Sequence, residues 1–267
     1  MTGLNINSTL RMKSGFEMPV LGFGIDSATC YFNAGPCARA MASSGIPRSS
    51  IFFTSKIYSN ALSYDDSIRQ IDSTLRSTRL EYIDLMLIHA PYGGTRGRNA
   101  AWRALVDAQA AGKVRSIGVS NYGVHHLNEL EEYIKDLESE RGPGRGGAID
   151  VGQWELQPWL AHPNIVSWCR ERDIVVQAFC PLTRGKRLDD PLLKPIVKRT
   201  GKTAAQVLMR WSLQMDFSPL PKSVKPERIE ENANIYDFEL TEEEMKMLDT
   251  GKYERCAWDL TVLPLSE

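Results

Sequence analysis

Four side chains capable of proton chemistry stand where apolar runs give way to loops: Asp26 and Tyr31 in IDSATCY, Lys56 closing FFTSK, and His89 closing LMLIH. Together they supply a carboxylate, a phenol, an ammonium and an imidazole, a set that can deliver a proton and stabilise charge in a transition state. Singly, each has an ordinary structural use: Asp26 as a turn or capping residue, Tyr31 as packing, Lys56 as a solvated strand end, His89 as a satisfied core histidine. Only their joint occurrence at strand ends carries information. Two other chemistries remain open on the residues alone. Lys56 could form a Schiff base, as in an aldolase, and a metal-dependent hydrolase would need spaced ligands. The other histidines do not supply that spacing. His125 and His126 are adjacent on a helix and His162 precedes a proline, so all three read as surface residues and no metal site is expected.

Strands must position these groups. IFFTSKI, YIDLMLIHA, VRSIGVSN, AIDVGQWEL, IVVQAFCPL and FSPLPKS are short, apolar and rich in β-branched residues, which predicts six strands from residue 51 onward. Between the first two, Ile68, Ile71 and Leu75 recur at helical spacing; over 124–139, Leu127, Leu130, Ile134 and Leu137 do the same. Further helices are predicted at about 97–111, 162–172, 203–215, 226–235 and 241–249, the last opened by a capping box of Thr241 and Glu244. Alternating strands and helices with near-continuously apolar strands imply a parallel sheet buried on both faces, either an open doubly wound sheet or a closed barrel. One domain over 1–267 suits a chain of 267 residues, 42% of them hydrophobic.

Composition removes several classes of partner. A net charge of -1 from 32 basic and 33 acidic residues gives no field that would favour nucleic acid or an anionic membrane. No apolar run reaches the roughly 18 residues of a membrane helix, and the start lacks the apolar stretch of a secretory signal, so a cytoplasmic protein is expected. The cysteines Cys30, Cys37, Cys169, Cys180 and Cys256 never form C-x-x-C, which argues for reduced thiols over a disulfide framework or zinc site.

Two glycine motifs fail on context. GPGRGG at 142–147 fits G-x-G-x-x-G but precedes a strand, with no helix N-terminus to receive a pyrophosphate; it reads as a flexible surface loop. Gly201-Lys202-Thr203 resembles the end of a phosphate loop, yet Ile196 stands where a glycine is required.

IDSATCY resembles the aspartate-to-tyrosine motif of the aldo-keto reductases, FFTSK their lysine strand and LIHAP their histidine strand. The resemblance extends through GFEMPVLGFG, the GVSN of 118–121, GQWELQPWL, the KSVKPERIEEN of 222–232 and FELTEEEM, nearly the whole chain. It implies a TIM-type (β/α) barrel and NADPH-dependent reduction of small-molecule aldehydes or ketones by a protein acting as a monomer. Asp26, Tyr31, Lys56 and His89 then match the family's catalytic tetrad. Tyr31 is the general acid, Lys56 favours its ionised form, Asp26 holds Lys56 and His89 orients the carbonyl. Ser120, Asn121 and Gln153 match residues that bind the nicotinamide carboxamide, and Phe179 the ring that stacks on it. Lys222, Ser223 and Arg228 match positions gripping the adenosine 2′-phosphate, with Glu231 and Asn232 near the adenine. Two cations for one phosphate imply NADPH over NADH. Trp102, Trp258 and the tail beyond Tyr253 could line the substrate pocket, although Trp102 reads better as helix core. Ala90 stands where many relatives carry a bulky aromatic, which would widen the pocket.

The pattern breaks at one place. The family separates its GFG from its IDSA by a first helix and most of a second strand, whereas here Gly24 and Asp26 are almost adjacent. Two residues span at most about 7 Å, too little for a descent outside the barrel and a climb back, so one β/α unit is missing between them. The expectation is an incomplete barrel of about seven parallel strands, with MPVLGFGIDSA as a single strand and two exposed edges beside the gap. The alternative function is a catalytically impaired cofactor-binding or regulatory barrel protein.

Overall fold

The computed structural model describes residues 3–22, 25–58, 60 and 62–265. The chain divides into two compact units. The first comprises Met1–Leu10, Glu17–Gly24 and Gln153–Asp259; the second comprises Arg11–Phe16, Ile25–Gly152 and Leu260–Glu267. Two short strands near the start, β1 (Thr9–Arg11) and β2 (Glu17–Pro19), make a sheet of their own.

In the second unit, strands β3 (Thr54–Ile57), β4 (Ile83–Ile88) and β5 (Val114–Ser120) alternate with helices α2 (Tyr64–Thr78), α3 (Gly94–Ala110) and α4 (Val124–Arg141). They pair in parallel, Lys56 opposite Leu87 and Leu87 opposite Gly118. Every residue of β4, IDLMLI, is buried, as a strand covered on both faces requires. Helix α2 starts where the Ser63 side chain accepts the Asp66 N–H at 3.3 Å and stops where Arg79 turns left-handed. Trp102 is fully buried in α3 and donates to the Gly146 carbonyl at 3.0 Å, as a helix-core residue.

The first unit carries β7 (Val175–Phe179) and β8 (Phe217–Leu220), also parallel, with Phe179 opposite Leu220. Helices α5 (Pro163–Arg170), α6 (Lys194–Thr200), α7 (Ala204–Gln214), α8 (Pro226–Ala233) and α9 (Glu242–Leu248) accompany them. Val20 and Leu21 pack there with Met209, Leu213 and Ile235. The capping box opening α9 is present, Glu244 N–H to Thr241 Oγ1 at 3.2 Å and Thr241 N–H to Glu244 Oε2 at 2.9 Å. Strand β6 (Val151–Glu155) belongs in part to each unit, and the six strands run in hydrogen-bonding order β3-β4-β5-β6-β7-β8.

All six expected strands and all seven expected helices are present; α6 and α1 (Ala34–Ser43) were not foreseen. MPVLGFGIDSA is not a single strand. Its opening residues end β2. In the first unit Gly22 N–H donates to Pro219 O at 3.2 Å. In the second, Thr54 N–H donates to Ile25 O at 3.0 Å and Ser27 N–H to Thr54 O at 2.8 Å, making a parallel bridge between Asp26 and Thr54. Pro19 lacks a ladder donor and Gly22 weakens an extended run, so the stretch breaks into pieces that each satisfy nearby backbone. The strands β8 and β3 therefore each carry main-chain bonds from this stretch. Phe23 and Gly24, part of the expected junction, lie outside the described residues.

Two further expectations are corrected. His126 and His162 are buried, not on the surface; burial disfavours the imidazolium and holds both rings below the usual histidine range, and His126 Nδ1 accepts the Gly123 N–H. The GPGRGG loop exposes Pro143–Arg145 but buries Gly146, where an added Cβ would lie 2.3 Å from the Ile134 carbonyl, so its end is anchored. No helix among the described residues is long and apolar enough to cross a membrane.

Candidate active site

In the second unit the bridge at Thr54 sets Asp26 beside the end of β3, where Lys56 emerges. Lys56 is 1% exposed. It donates to the Asp26 carboxylate and, at 3.0 Å, to the Ser27 carbonyl. A buried ammonium needs such partners, since an unpaired one costs several kcal/mol. A single 3-10 turn, Thr29–Tyr31, follows and brings the Tyr31 ring to 5.4 Å from Lys56 Nζ. The Tyr31 hydroxyl lies 3.3 Å from His89 Nε2, with the rings edge-to-face. Tyr31 is 48% exposed and His89 4%, so the phenol faces solvent from a buried base. The four expected catalytic residues are thus brought together.

Burial, followed by the charge of Lys56, holds His89 down at about 3, so the imidazole is neutral at physiological pH. Its other nitrogen, Nδ1, faces Cys30 Sγ at 3.7 Å. Burial pushes the Cys30 thiol up, which keeps it protonated and able to donate. A thiol donating to Nδ1 selects the tautomer with the proton on Nε2, aimed at Tyr31.

Several contributors escaped the sequence reading. Gln70 Oε1 accepts from Thr29 Oγ1 at 2.7 Å and from the Tyr58 N–H at 3.0 Å, tying the Tyr31 turn to the end of β3. Tyr58 stands edge-on to His89, centroids 5.6 Å apart; its position two residues beyond Lys56, on the same strand face, was the available signal. Buried Arg98 forks onto Glu129 at 2.7 and 2.9 Å and donates to Pro91 O at 3.1 Å, fixing the chain just after His89. Nothing in its spacing reveals that task.

The expected cofactor residues fall in both units. In the second, Ser120 and Asn121 are buried at the end of β5. Asn121 is left-handed (φ 61), and its Nδ2 donates to His89 O and Ser120 Oγ, both at 3.0 Å. In the first, Gln153 is buried on β6 and donates to Gln177 Oε1 at 3.0 Å; Phe179 ends β7, half-buried. Buried amides at strand ends suit a carboxamide. Lys222 and Arg228 are exposed on either side of the start of α8, and no ion pair occupies either among the described residues. Ser223 closes the turn before the helix, its Oγ accepting the Lys225 N–H at 3.1 Å. Two cations at a helix N-terminus suit a phosphate. Glu231 accepts from Thr203 Oγ1 at 2.6 Å, and Asn232 is buried. Of the proposed pocket residues, Trp258 is 36% exposed. No cluster of metal-binding side chains occurs among the described residues.

Residues 23–251 match the Aldo/keto reductase family. The chain is 34% identical to the glyoxal reductase of Bacillus subtilis, over 94% of this chain and 95% of that protein. The aligned length, 276, exceeds the 267 residues of the chain, so the relative has residues with no counterpart here. Among solved structures, MGS-M4, an aldo-keto reductase enzyme from a Medee basin deep-sea metagenome library, superposes with a TM-score of 0.85 at 28% identity, covering 96% of this chain and 99% of its own. A Bombyx mori aldo-keto reductase in complex with NADP gives 0.82 at 23% identity, covering 96% of each chain; at that identity the likeness is one of fold.

Proposed function

Since the chain belongs to the aldo/keto reductase family and is an oxidoreductase with a TIM-type α/β fold, we propose that it reduces aldehydes or ketones to alcohols with NADPH, using Tyr31 as the general acid. The observation that carries this reading is the buried Lys56–Asp26 pair beneath the Tyr31 ring, with the Tyr31 hydroxyl 3.3 Å from His89 Nε2. One carbonyl oxygen can accept from both groups at that spacing. When bound, the reduced nicotinamide supplies a hydride to the carbonyl carbon. Tyr31 gives its proton to the carbonyl oxygen, and Lys56 stabilises the phenolate left behind. Asp26 keeps the ammonium in place. His89, as the Nε2–H tautomer fixed by Cys30, orients the carbonyl and leaves the proton transfer to Tyr31.

Ser120, Asn121 and Gln153 would hold the carboxamide and Phe179 the nicotinamide face. Lys222, Ser223 and Arg228 would hold the 2′-phosphate, with Glu231 and Asn232 beside the adenine. The reading takes residues 1–267 as one domain, acting in the cytoplasm as a monomer on small carbonyl compounds. Glyoxal is the first substrate to try, because it names the activity of a relative.

The test is NADPH oxidation with glyoxal and with nitrobenzaldehyde, after circular dichroism has shown each protein folded. Tyr31→Phe should lower kcat by roughly 10²–10⁴-fold while leaving NADPH affinity near that of the parent, and NADH should serve less well than NADPH. Equal turnover by Tyr31→Phe would remove the general acid. A folded parent that binds NADPH without turnover would leave a binding protein instead.

A further inference from the structure

Directly after the phenol stands a residue that the local chain holds under strain. Phe32 follows Tyr31 with φ 54 and ψ 25, the left-handed region in which a bulky side chain crowds its own backbone. The conformation is imposed from both sides. Tyr31 N–H donates to the Ala28 carbonyl at 3.0 Å, closing the 3-10 turn. Asn33, the residue before α1, accepts Ser27 Oγ on its side chain at 2.6 Å and the Cys37 N–H on its carbonyl at 2.9 Å. Phe32 has to turn the chain from one to the other, which glycine or asparagine does with less strain.

No contact inside the protein offsets that strain. At 92% exposure Phe32 is the most exposed large hydrophobic among the described residues. The other exposed left-handed residues that are not glycine, Arg79, Asp173, Arg184 and Asp216, are all charged and suit water. A phenyl ring in water costs free energy a second time. Strain of this kind collects where a ligand binds, and the ligand is indicated by what lies beside the ring. Consecutive Cα atoms are about 3.8 Å apart, so a carbonyl compound held at the Tyr31 hydroxyl brings its substituent close to Phe32. At this exposure the ring is free to turn towards it. The neighbours of the reacting oxygen are aromatic as well: Tyr58 stands edge-on to His89 at 5.6 Å and Tyr92 edge-on to Tyr58 at 6.2 Å, both half-buried, with the small Ala90 after His89.

We propose that Phe32 is a specificity-determining residue, a ring kept free at the edge of the site to bind the aryl or other bulky apolar substituent of the carbonyl substrate. The proposal rests on the reductase reading of this site and names the class of aldehyde that the site selects. An aryl group stacked on Phe32 removes apolar surface from water on both partners, and does so only when such a substrate is bound. Glyoxal, which is little more than its carbonyl groups, offers almost no apolar surface and gains little from the ring.

Phe32→Asn and Phe32→Gly, compared with the parent, test this. The ratio of kcat/KM for nitrobenzaldehyde to that for glyoxal should fall roughly three- to tenfold in both variants, through KM more than kcat. Nitrobenzyl alcohol, followed by saturation-transfer NMR with NADPH present, should bind more weakly by a similar factor. The urea midpoint of Phe32→Asn should rise above the parent's, because the left-handed strain is relieved. An unchanged ratio with unchanged alcohol binding overturns the proposal. So does a lower urea midpoint, which would give Phe32 a packing role, or a parent dimer in sedimentation velocity that Phe32→Gly turns into a monomer, which would make the ring an interface between copies. If the parent turns over neither aldehyde, the reductase reading fails by itself and alcohol binding alone decides Phe32: weaker binding in the variants supports it and equal binding overturns it.

Discussion

At His89 the imidazole gives up hydration on entering the core, and the ammonium of Lys56 stands nearby; both disfavour its cation and bring it to about 3. His126 comes to about 3 as well, through burial first and then the charges of His125 and Arg98. Its Nδ1 accepts the Gly123 N–H at 3.1 Å, a bond that protonation would destroy. In the unfolded chain both histidines titrate near 6.5, so as pH falls below that value the unfolded state binds protons first. Stability is then complete above about pH 6.5 and declines as pH falls towards 3. Between pH 7 and 5 the loss should reach up to about 2 kcal/mol for each histidine, visible as a lower urea midpoint. A midpoint that does not move over this range would contradict the neutral, buried imidazoles. Of this, the sequence showed His89 through its LIHAP context, but not His126, because a histidine on a polar helix looks like a surface residue until its neighbours are known.

Among the elements, β5 depends on a residue without a side chain. A Cβ on Gly118 would lie 1.9 Å from the Val151 carbonyl oxygen and 3.0 Å from Leu87 Cδ2, and backbone cannot step aside as a flexible side chain can. Gly118→Ala should cost about 3 kcal/mol by forced separation of strands, read from denaturant unfolding; a cost below about 1 kcal/mol would show that the strands yield. The glycine also precedes Ser120 and Asn121, so the loss should reach the nicotinamide end of the proposed site. Strands were legible because burial on both faces leaves an unbroken apolar run, and long helices because burial of one face imposes a period. Helix α1 was not: it buries only Met41 behind Ala-Gly-Pro-Cys, and no apolar stripe marks it. Helix α6 has seven residues, too few to show a period.

On the scale of the whole molecule, the chain keeps the family's pattern while lacking residues a relative has, and it uses the pieces on either side of Phe23 and Gly24 to bond with β8 and β3. The last described stretch is likewise held: Thr261 packs its carbonyl where a Gly123 side chain would be, and the Leu263 carbonyl meets His125 Nε2 at 2.6 Å. The burial of Lys56 has a consequence beyond the reaction itself. Amine-acylating reagents reach lysines on the surface such as Lys222 and Lys225 directly, but they reach Lys56 only when the second unit opens. Its acetylation rate therefore reports how often this part of the protein unfolds. In native buffer the Lys56 peptide should remain unmodified while the surface lysines saturate, and urea should bring its labelling up; labelling at the pace of Lys222 in native buffer would mean the ammonium is not enclosed. The residue proposed to assist the phenol is thus also an internal gauge of the fold that surrounds it.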